Sequence, residues 1–188
     1  FGVGFYSVFM VARRVELETR SWHPEGEAWT WSSEGGGNYE IQHSKKKDRG
    51  TKIKIFLKED AKEFCGEFRL ENIIKRYSNY LPFEVKIKDK VLNQVKALWT
   101  QSKNDLSDDD YKSFYKQFCH DHEDPQHHLH FSIDAPIQYH ALIYFPKTIN
   151  NEVLYARESH GVALYAQKVL IQQDNENLLP PYLRFVKG

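Results

Sequence analysis

Phe1-Gly2-Val3-Gly4-Phe5-Tyr6-Ser7-Val8-Phe9-Met10-Val11 opens the chain and governs how the rest is read. Two glycines one residue apart run straight into an apolar stretch. Without a Cβ, Gly2 and Gly4 can adopt positive φ and let a ligand lie against bare backbone. N–H groups at the start of a following helix then offer donors to an anion. Phe5, Val8, Phe9 and Ala12 recur at helical spacing, which predicts that the glycine turn feeds a buried helix. A glycine pair alone is weak, because glycines also serve tight turns and close helix contacts. The residues around it have to carry the case.

Outward from that motif the period changes to two. Val15, Leu17 and Thr19 alternate with Glu16, Glu18 and Arg20. Further strands are expected at Trp29 to Ser32, Tyr39 to His43 and Lys52 to Leu57, with a Glu34 to Asn38 turn and a charged Lys45 to Gly50 loop. Leu70, Ile73, Ile74, Tyr77 and Leu81 mark an amphipathic helix stopped by Pro82, and Phe83 to Ile87 a short strand. Lys88 to Lys96 is the expected joint between two modules. Beyond it, Ser107 with Asp110 forms an N-cap with an acidic first turn. Tyr111, Phe114, Tyr115 and Phe118 form one stripe of the helix that follows. Strands are expected at Leu129 to Ile133, Tyr139 to Phe145 and Val162 to Ile171, with a helical turn within Leu178 to Phe185. Helices mixed with antiparallel meanders indicate an α+β chain.

Composition excludes several classes. Lys plus Arg and Asp plus Glu each number 26, so no net charge marks the chain for nucleic acid or an anionic membrane. With 40% hydrophobic and 14% aromatic residues the chain can pack a core. Cys65 and Cys119 are too few for a disulfide scaffold, which favours a reducing compartment. No apolar run is long enough to cross a bilayer. The chain starts inside a motif and is expected to be an internal piece of a longer protein.

At this point the residues resemble those of a family. Phe1 to Val11 is similar to the glycine motif of the heat-shock protein 90 chaperones. Four further blocks agree in order: Arg49-Gly50-Thr51-Lys52-Ile53, Ala97-Leu98-Trp99-Thr100, Phe114-Tyr115 and Leu183-Arg184-Phe185-Val186-Lys187-Gly188. The ordered set runs the whole length. It implies the back part of a Bergerat-type ATP-binding α/β sandwich over residues 1–90, a fold shared with gyrase, histidine kinase and mismatch-repair ATPases. Part of an α/β middle domain would follow over residues 91–188.

The resemblance also implies roles. Gly2, Val3, Gly4 and Phe5 would supply backbone contacts to nucleotide phosphates, and Thr51 a hydroxyl near the adenine. The alternative for Thr51 is an ordinary β-branched strand residue. ATP and Mg²⁺ are the implied cofactors. The family's glutamate base, magnesium-holding asparagine and adenine-bonding aspartate would fall upstream of Phe1, and its γ-phosphate arginine downstream of Gly188. No catalytic residue or metal ligand is therefore assigned here, and Asp60, Glu63, Arg184 and Lys187 are not promoted to those roles. The implied function is part of an ATP-dependent chaperone, homodimeric when intact, acting on client proteins. Apolar residues between Tyr144 and Tyr155 are candidate client contacts. The short Lys88 to Lys96 joint points to the bacterial or mitochondrial branch, hence to cytoplasm or mitochondrial matrix. Asp134-Ala135-Pro136 and Val162-Ala163-Leu164-Tyr165 tilt that choice toward the mitochondrial type. Arg13 stands where the family usually has an acidic residue.

Two other constellations compete. Cys119, His120, His122, His127, His128 and His130 crowd one region, but zinc needs four converging ligands. Cys119 and His120, if both helical, project about 100° apart. Lys45, Lys46 and Lys47 with Lys52 and Lys54 could suit nucleic acid, but zero net charge favours a solvated loop. The alternative functions are a DNA-acting ATPase of the gyrase or mismatch-repair type and a non-hydrolysing client-binding module.

Overall fold

The computed structural model describes residues 4–148 and 161–188, and the chain divides into two compact units, Phe1–Leu70 and Glu71–Gly188. In the first, alternation of apolar and charged residues produces β1 (Ala12–Arg20), β2 (Ala28–Ser33), β3 (Tyr39–His43) and β4 (Gly50–Leu57). They form one antiparallel sheet in the order β3-β2-β1-β4. Leu17 stands opposite Trp31 and Ile53, Trp31 opposite Ile41, and Thr19 opposite Trp29 and Thr51. Directly opposed residues share a face. One face therefore carries Val15, Leu17, Thr19, Trp29, Trp31, Tyr39, Ile41, Thr51, Ile53 and Ile55. The other carries Glu16, Glu18, Glu40, Lys52 and Lys54, with Glu16 paired to Arg14 at 2.9 Å.

The glycine motif does not feed a buried helix. Phe5–Met10 is a six-residue 3₁₀ helix with no buried residue. Lys58 Nζ donates to the carbonyls of Phe9 (2.9 Å) and Met10 (3.1 Å), closing the helix end, and Ala12 already belongs to β1. The helical spacing of Phe5, Val8, Phe9 and Ala12 runs across that boundary. Gly35 in the β2–β3 turn has φ +79°, and a Cβ there would meet the Phe9 ring at 2.8 Å. Only glycine satisfies both demands.

α1 (Glu67–Tyr77) leads into the second unit. It starts before and ends earlier than the apolar spacing predicts, stopping four residues short of Leu81. Glu71 Oε1 bonds Lys90 Nζ at 2.9 Å, which ties the helix to the β5 (Lys86–Ile87) and β6 (Lys90–Val91) hairpin and holds the Glu71 carboxyl below its ordinary range. The middle of the Lys88 to Lys96 segment is packed. Leu92 and Asn93 are buried. Asn93 accepts from Val85 N (2.7 Å) and donates to Phe83 O (2.9 Å), clamping the segment.

α2 (Asp108–Cys119) begins at the expected cap: Ser107 and Asp110 form a reciprocal capping box. Its Tyr111 and Tyr115 join Leu98, Leu142 and Tyr144 in the core, with Trp99, Phe114 and Cys119 packed around them. β7 (His127–Ile133) pairs with β8 (Tyr139–Phe145). The expected single strand from Val162 to Ile171 is instead a hairpin, β9 (Val162–Ala166) and β10 (Val169–Asn175). Gln167 (φ 48°) and Lys168 (φ 68°) make its turn in the left-handed region without the Asn-Gly that usually announces one. The last residues stitch the two hairpins together. Lys187 exchanges backbone bonds with Tyr144, and Gly188 O accepts from Ala163 N at 2.7 Å.

Candidate functional site

Gly2 and Val3 lie outside the described residues. Gly4 caps the 3₁₀ helix with φ −56° and ψ −39°, so the expected positive φ does not occur there. Ser7 donates to the Gly4 carbonyl through both its N–H (3.3 Å) and its Oγ (2.7 Å), which fixes the turn. A Cβ built on Gly4 meets nothing within 4 Å. What the position offers is open backbone rather than an unusual conformation.

Phe5 turns toward the sheet, its ring edge-on to Trp31 with centroids 5.6 Å apart. Trp31 belongs to the apolar face, in the row of Leu17 and Ile53. Thr51 sits in the neighbouring row, where its Oγ1 shares a hydrogen bond of 2.8 Å with Thr19 Oγ1. The structure thus brings Phe5 and Thr51 to one face of one sheet. That face is open: Ile41, Ile53 and Ile55 remain 54%, 48% and 45% exposed. Thr19, Trp29 and Trp31 were missed by sequence reasoning as parts of this wall. Their alternation was visible, but the register that aligns them with Thr51 was not.

Chemically this face combines exposed apolar area with a pair of hydroxyls. An apolar wall with aromatic rings suits a planar ring, and a pair of coupled hydroxyls suits one polar edge of it. None of the wall's residues is a carboxylate. On the opposite face Glu18 accepts from Ser44 Oγ, and Arg20 Nη1 donates to Lys47 O at 2.6 Å, folding the Lys45 to Gly50 loop back on the sheet.

In the histidine-rich region of the second unit, His128 and His130 serve packing, and His120, His122 and His127 are exposed. Trp99 O can only accept, so His130 Nε2 donates to it (3.0 Å) and His130 Nδ1 accepts from Tyr111 Oη (2.8 Å). His128 stacks on Tyr111 at 4.0 Å, and burial pushes its pKa down. His120 is not helical but caps α2 in the left-handed conformation. Burial pushes the Cys119 thiol up to about 12. Tyr115 Oη donates to Asp121 Oδ2 at 2.6 Å, which holds that carboxyl below its usual range. Among the described residues no group of three or more His, Cys, Asp and Glu could hold a metal ion. Tyr144, named above as a candidate client contact, is fully buried and cannot serve as one. Most of the remaining stretch to Tyr155 lies outside the described residues.

A family model described as Hsp90 protein matches residues 84–188. Chaperone protein HtpG of Desulfitobacterium hafniense (strain Y51) is 43% identical over 188 residues, covering 100% of this chain and 31% of the relative. Chaperone protein HtpG of Desulfotalea psychrophila is 44% identical over 189 residues, covering 100% and 30%. That of Chlorobium phaeovibrioides is 44% identical over 191 residues, covering 100% and 31%. The chain spans about a third of the length of these curated relatives.

Proposed function

The chain belongs to the Hsp90 protein family, and from that premise we propose that it forms part of an ATP-dependent chaperone acting on unfolded or partly folded client proteins. The observation that carries the nucleotide reading is the convergence of Phe5 and Thr51 on one open apolar face. Backbone at Gly2, Val3, Gly4 and Phe5 would meet the phosphates. The room around Gly4, where a side chain would meet nothing, fits close approach of a ligand to the main chain. The adenine would lie toward Thr51, whose hydroxyl, ordered by Thr19, bonds the base or a bound water. ATP, when bound, supplies the phosphoanhydride that the family hydrolyses; this chain's residues would position it along the turn and the wall.

Magnesium is different. Among the described residues neither the turn nor the wall presents a carboxylate, the ligand magnesium usually takes beside phosphates, so no step is assigned to these residues through the metal. The domain reading is residues 1–90 for the ATP-binding part and 91–188 for the middle-domain part. The family match beginning at residue 84 supports it. Compactness divides earlier, at Leu70, and Glu71 on the far side of that boundary is bonded to Lys90. ATP binding would shift the whole protein between client-holding states, as a homodimer. The bacterial relatives favour the bacterial branch and its cytoplasm over the mitochondrial matrix. Among the described residues no helix is long and apolar enough to cross a membrane. The DNA-acting and non-hydrolysing alternatives gain no support from the family match.

Thr51→Val in the full-length protein tests the reading. Valine keeps the β-branched shape and removes the hydroxyl. Loss of one hydrogen bond to ligand is worth about 1–2 kcal/mol, or about 5- to 30-fold in ATP affinity by calorimetry, with the melting temperature nearly unchanged. Wild-type affinity in a folded Thr51→Val protein would reduce Thr51 to a strand residue and remove the adenine assignment.

A further inference from the structure

Tyr80, Trp99, Phe114 and Tyr165 converge within the second unit. Tyr80 is buried, and its ring meets the other three. It stands edge-on to Trp99 with centroids 4.6 Å apart and edge-on to Tyr165 at 5.7 Å, and Phe114 lies at 6.3 Å. Trp99 belongs to the short 3₁₀ helix Leu98–Thr100, Phe114 to α2 and Tyr165 to β9, so three separate elements close on one ring. By the domain reading above, Tyr80 falls in the ATP-binding part and its three neighbours in the middle-domain part. We propose that Tyr80 is a latch, fastening the end of the ATP-binding part to the middle part and so acting as a positioning residue for ATP turnover. This role rests on the domain division and the ATP-dependent function proposed above, not on the nucleotide wall.

Local bonds present the ring. Ser78 N donates to Ile74 O at 2.8 Å in the last turn of α1. Beyond it the chain is folded back on itself: Asn79 Oδ1 accepts from Gln94 N at 3.1 Å, beside the Asn93 clamp. Tyr80 therefore projects from a closed loop. Arg76 Nη2 adds one bond to Gln173 Oε1 on β10 at 3.1 Å, but that bond is exposed. Hydrogen bonds that water can replace contribute little net stability. Buried edge-on aromatic pairs add a geometric preference to the area they bury, so the ring carries the fastening. Burial also raises the Tyr80 phenol above its ordinary range, which keeps it neutral.

The open face of the first sheet carries no carboxylate, so ATP turnover draws on groups elsewhere in the full-length protein. Their alignment depends on how the parts of that protein are held. A misplacement of about 1 Å can cost about 100-fold in rate. A ring enclosed by three elements is a fixed point of the kind that alignment needs.

Full-length protein carrying Tyr80→Ala should bind ATP within about twofold of the wild-type affinity by calorimetry, yet turn it over about tenfold more slowly. Tyr80→Phe keeps the ring and should restore turnover. Tyr165→Ala removes the facing ring from the middle part and should slow turnover likewise. Hydrogen exchange without nucleotide should show residues 78–97 freed in Tyr80→Ala, with β7 and β8 still protected. Wild-type turnover in a Tyr80→Ala protein whose 78–97 amides are freed would overturn the latch and leave the domain division standing. Loss of protection across β7 and β8 as well would overturn both, making Tyr80 a core residue of one indivisible body. A wild-type protein that binds no ATP would remove the ATP-dependent reading, and the positioning role with it.

Discussion

The two units use their apolar residues in opposite ways. In the second, Tyr111, Tyr115, Leu142 and Tyr144 are buried against one another, and Tyr144 Oη donates to Tyr111 O at 3.0 Å, so even the phenols are paired inside. In the first, the buried apolar residues are small (Ala12, Val15, Ala28 and Ala61), while isoleucines and tryptophans line an open sheet face. Large side chains facing each other make a core. Large side chains facing outward make a surface that another molecule or segment can cover. The second unit's aromatics therefore contribute to its own stability, whereas the first unit's leave a face open to being covered.

That contrast can be broken most forcefully at Tyr144. Truncating it to alanine removes a fully buried ring and should cost about 3–5 kcal/mol in the second unit. Hydrogen exchange, read segment by segment, should show β7, β8 and α2 losing protection. Ile53→Ala on the open face should cost about 1 kcal/mol or less. Equal losses from the two would erase the distinction.

His130 gives the next effect. Its alanine variant leaves Tyr111 Oη and Trp99 O without their partner, at about 2–3 kcal/mol by urea denaturation. The side-chain amide introduced by His130→Gln can donate to one group and accept from the other, and should recover part of the loss. No recovery would mean that the ring's volume, not its hydrogen bonds, holds α2 to β7.

Gly4 sharpens the comparison from the other side. Its helical φ and open surroundings mean Gly4→Ala should fold normally. A methyl between backbone and phosphate should nonetheless weaken ATP binding by the full-length protein about tenfold, roughly 1.4 kcal/mol. Unchanged affinity would show that the ligand does not approach this turn.

Alkali should act on the second unit. Burial raises the Cys119 thiol from an ordinary 9.0 to about 12, and raises the phenols of Tyr115, Tyr144 and Tyr165 too. Unfolded, these groups ionise first. Their stabilising contribution is therefore complete below about pH 9 and is lost as pH rises toward 12. Melting temperatures of Cys119→Ala should fall less steeply over that range than those of the wild type. In the native protein a thiol reagent should label exposed Cys65 well before Cys119.

Much of this was legible in residue order, and the misses have physical causes. β3 was bounded correctly because alternation and flanking turns agree there. The Ser107 cap was legible because its partner Asp110 lies three residues away. The β9–β10 hairpin was hidden because Gln167 and Lys168 adopt a left-handed turn that their types do not advertise. The 3₁₀ helix was overextended because its terminator, Lys58, is distant in sequence. At the candidate site, Phe5 and Thr51 were named from a motif. The wall between them, Trp31 and Thr19, depends on the pairing of β1 with β2 and β4, which no local pattern states.

The open face of the first sheet, with the turn at Gly4, is the proposed nucleotide wall. Hydrogen exchange of the full-length protein with and without ATP and magnesium tests it most directly. Exchange should slow in residues 4–10 and in β1 and β4 around Thr19 and Thr51, with β7 and β8 unchanged. Saturating ATP that leaves both of those segments exchanging at their ligand-free rates would contradict it.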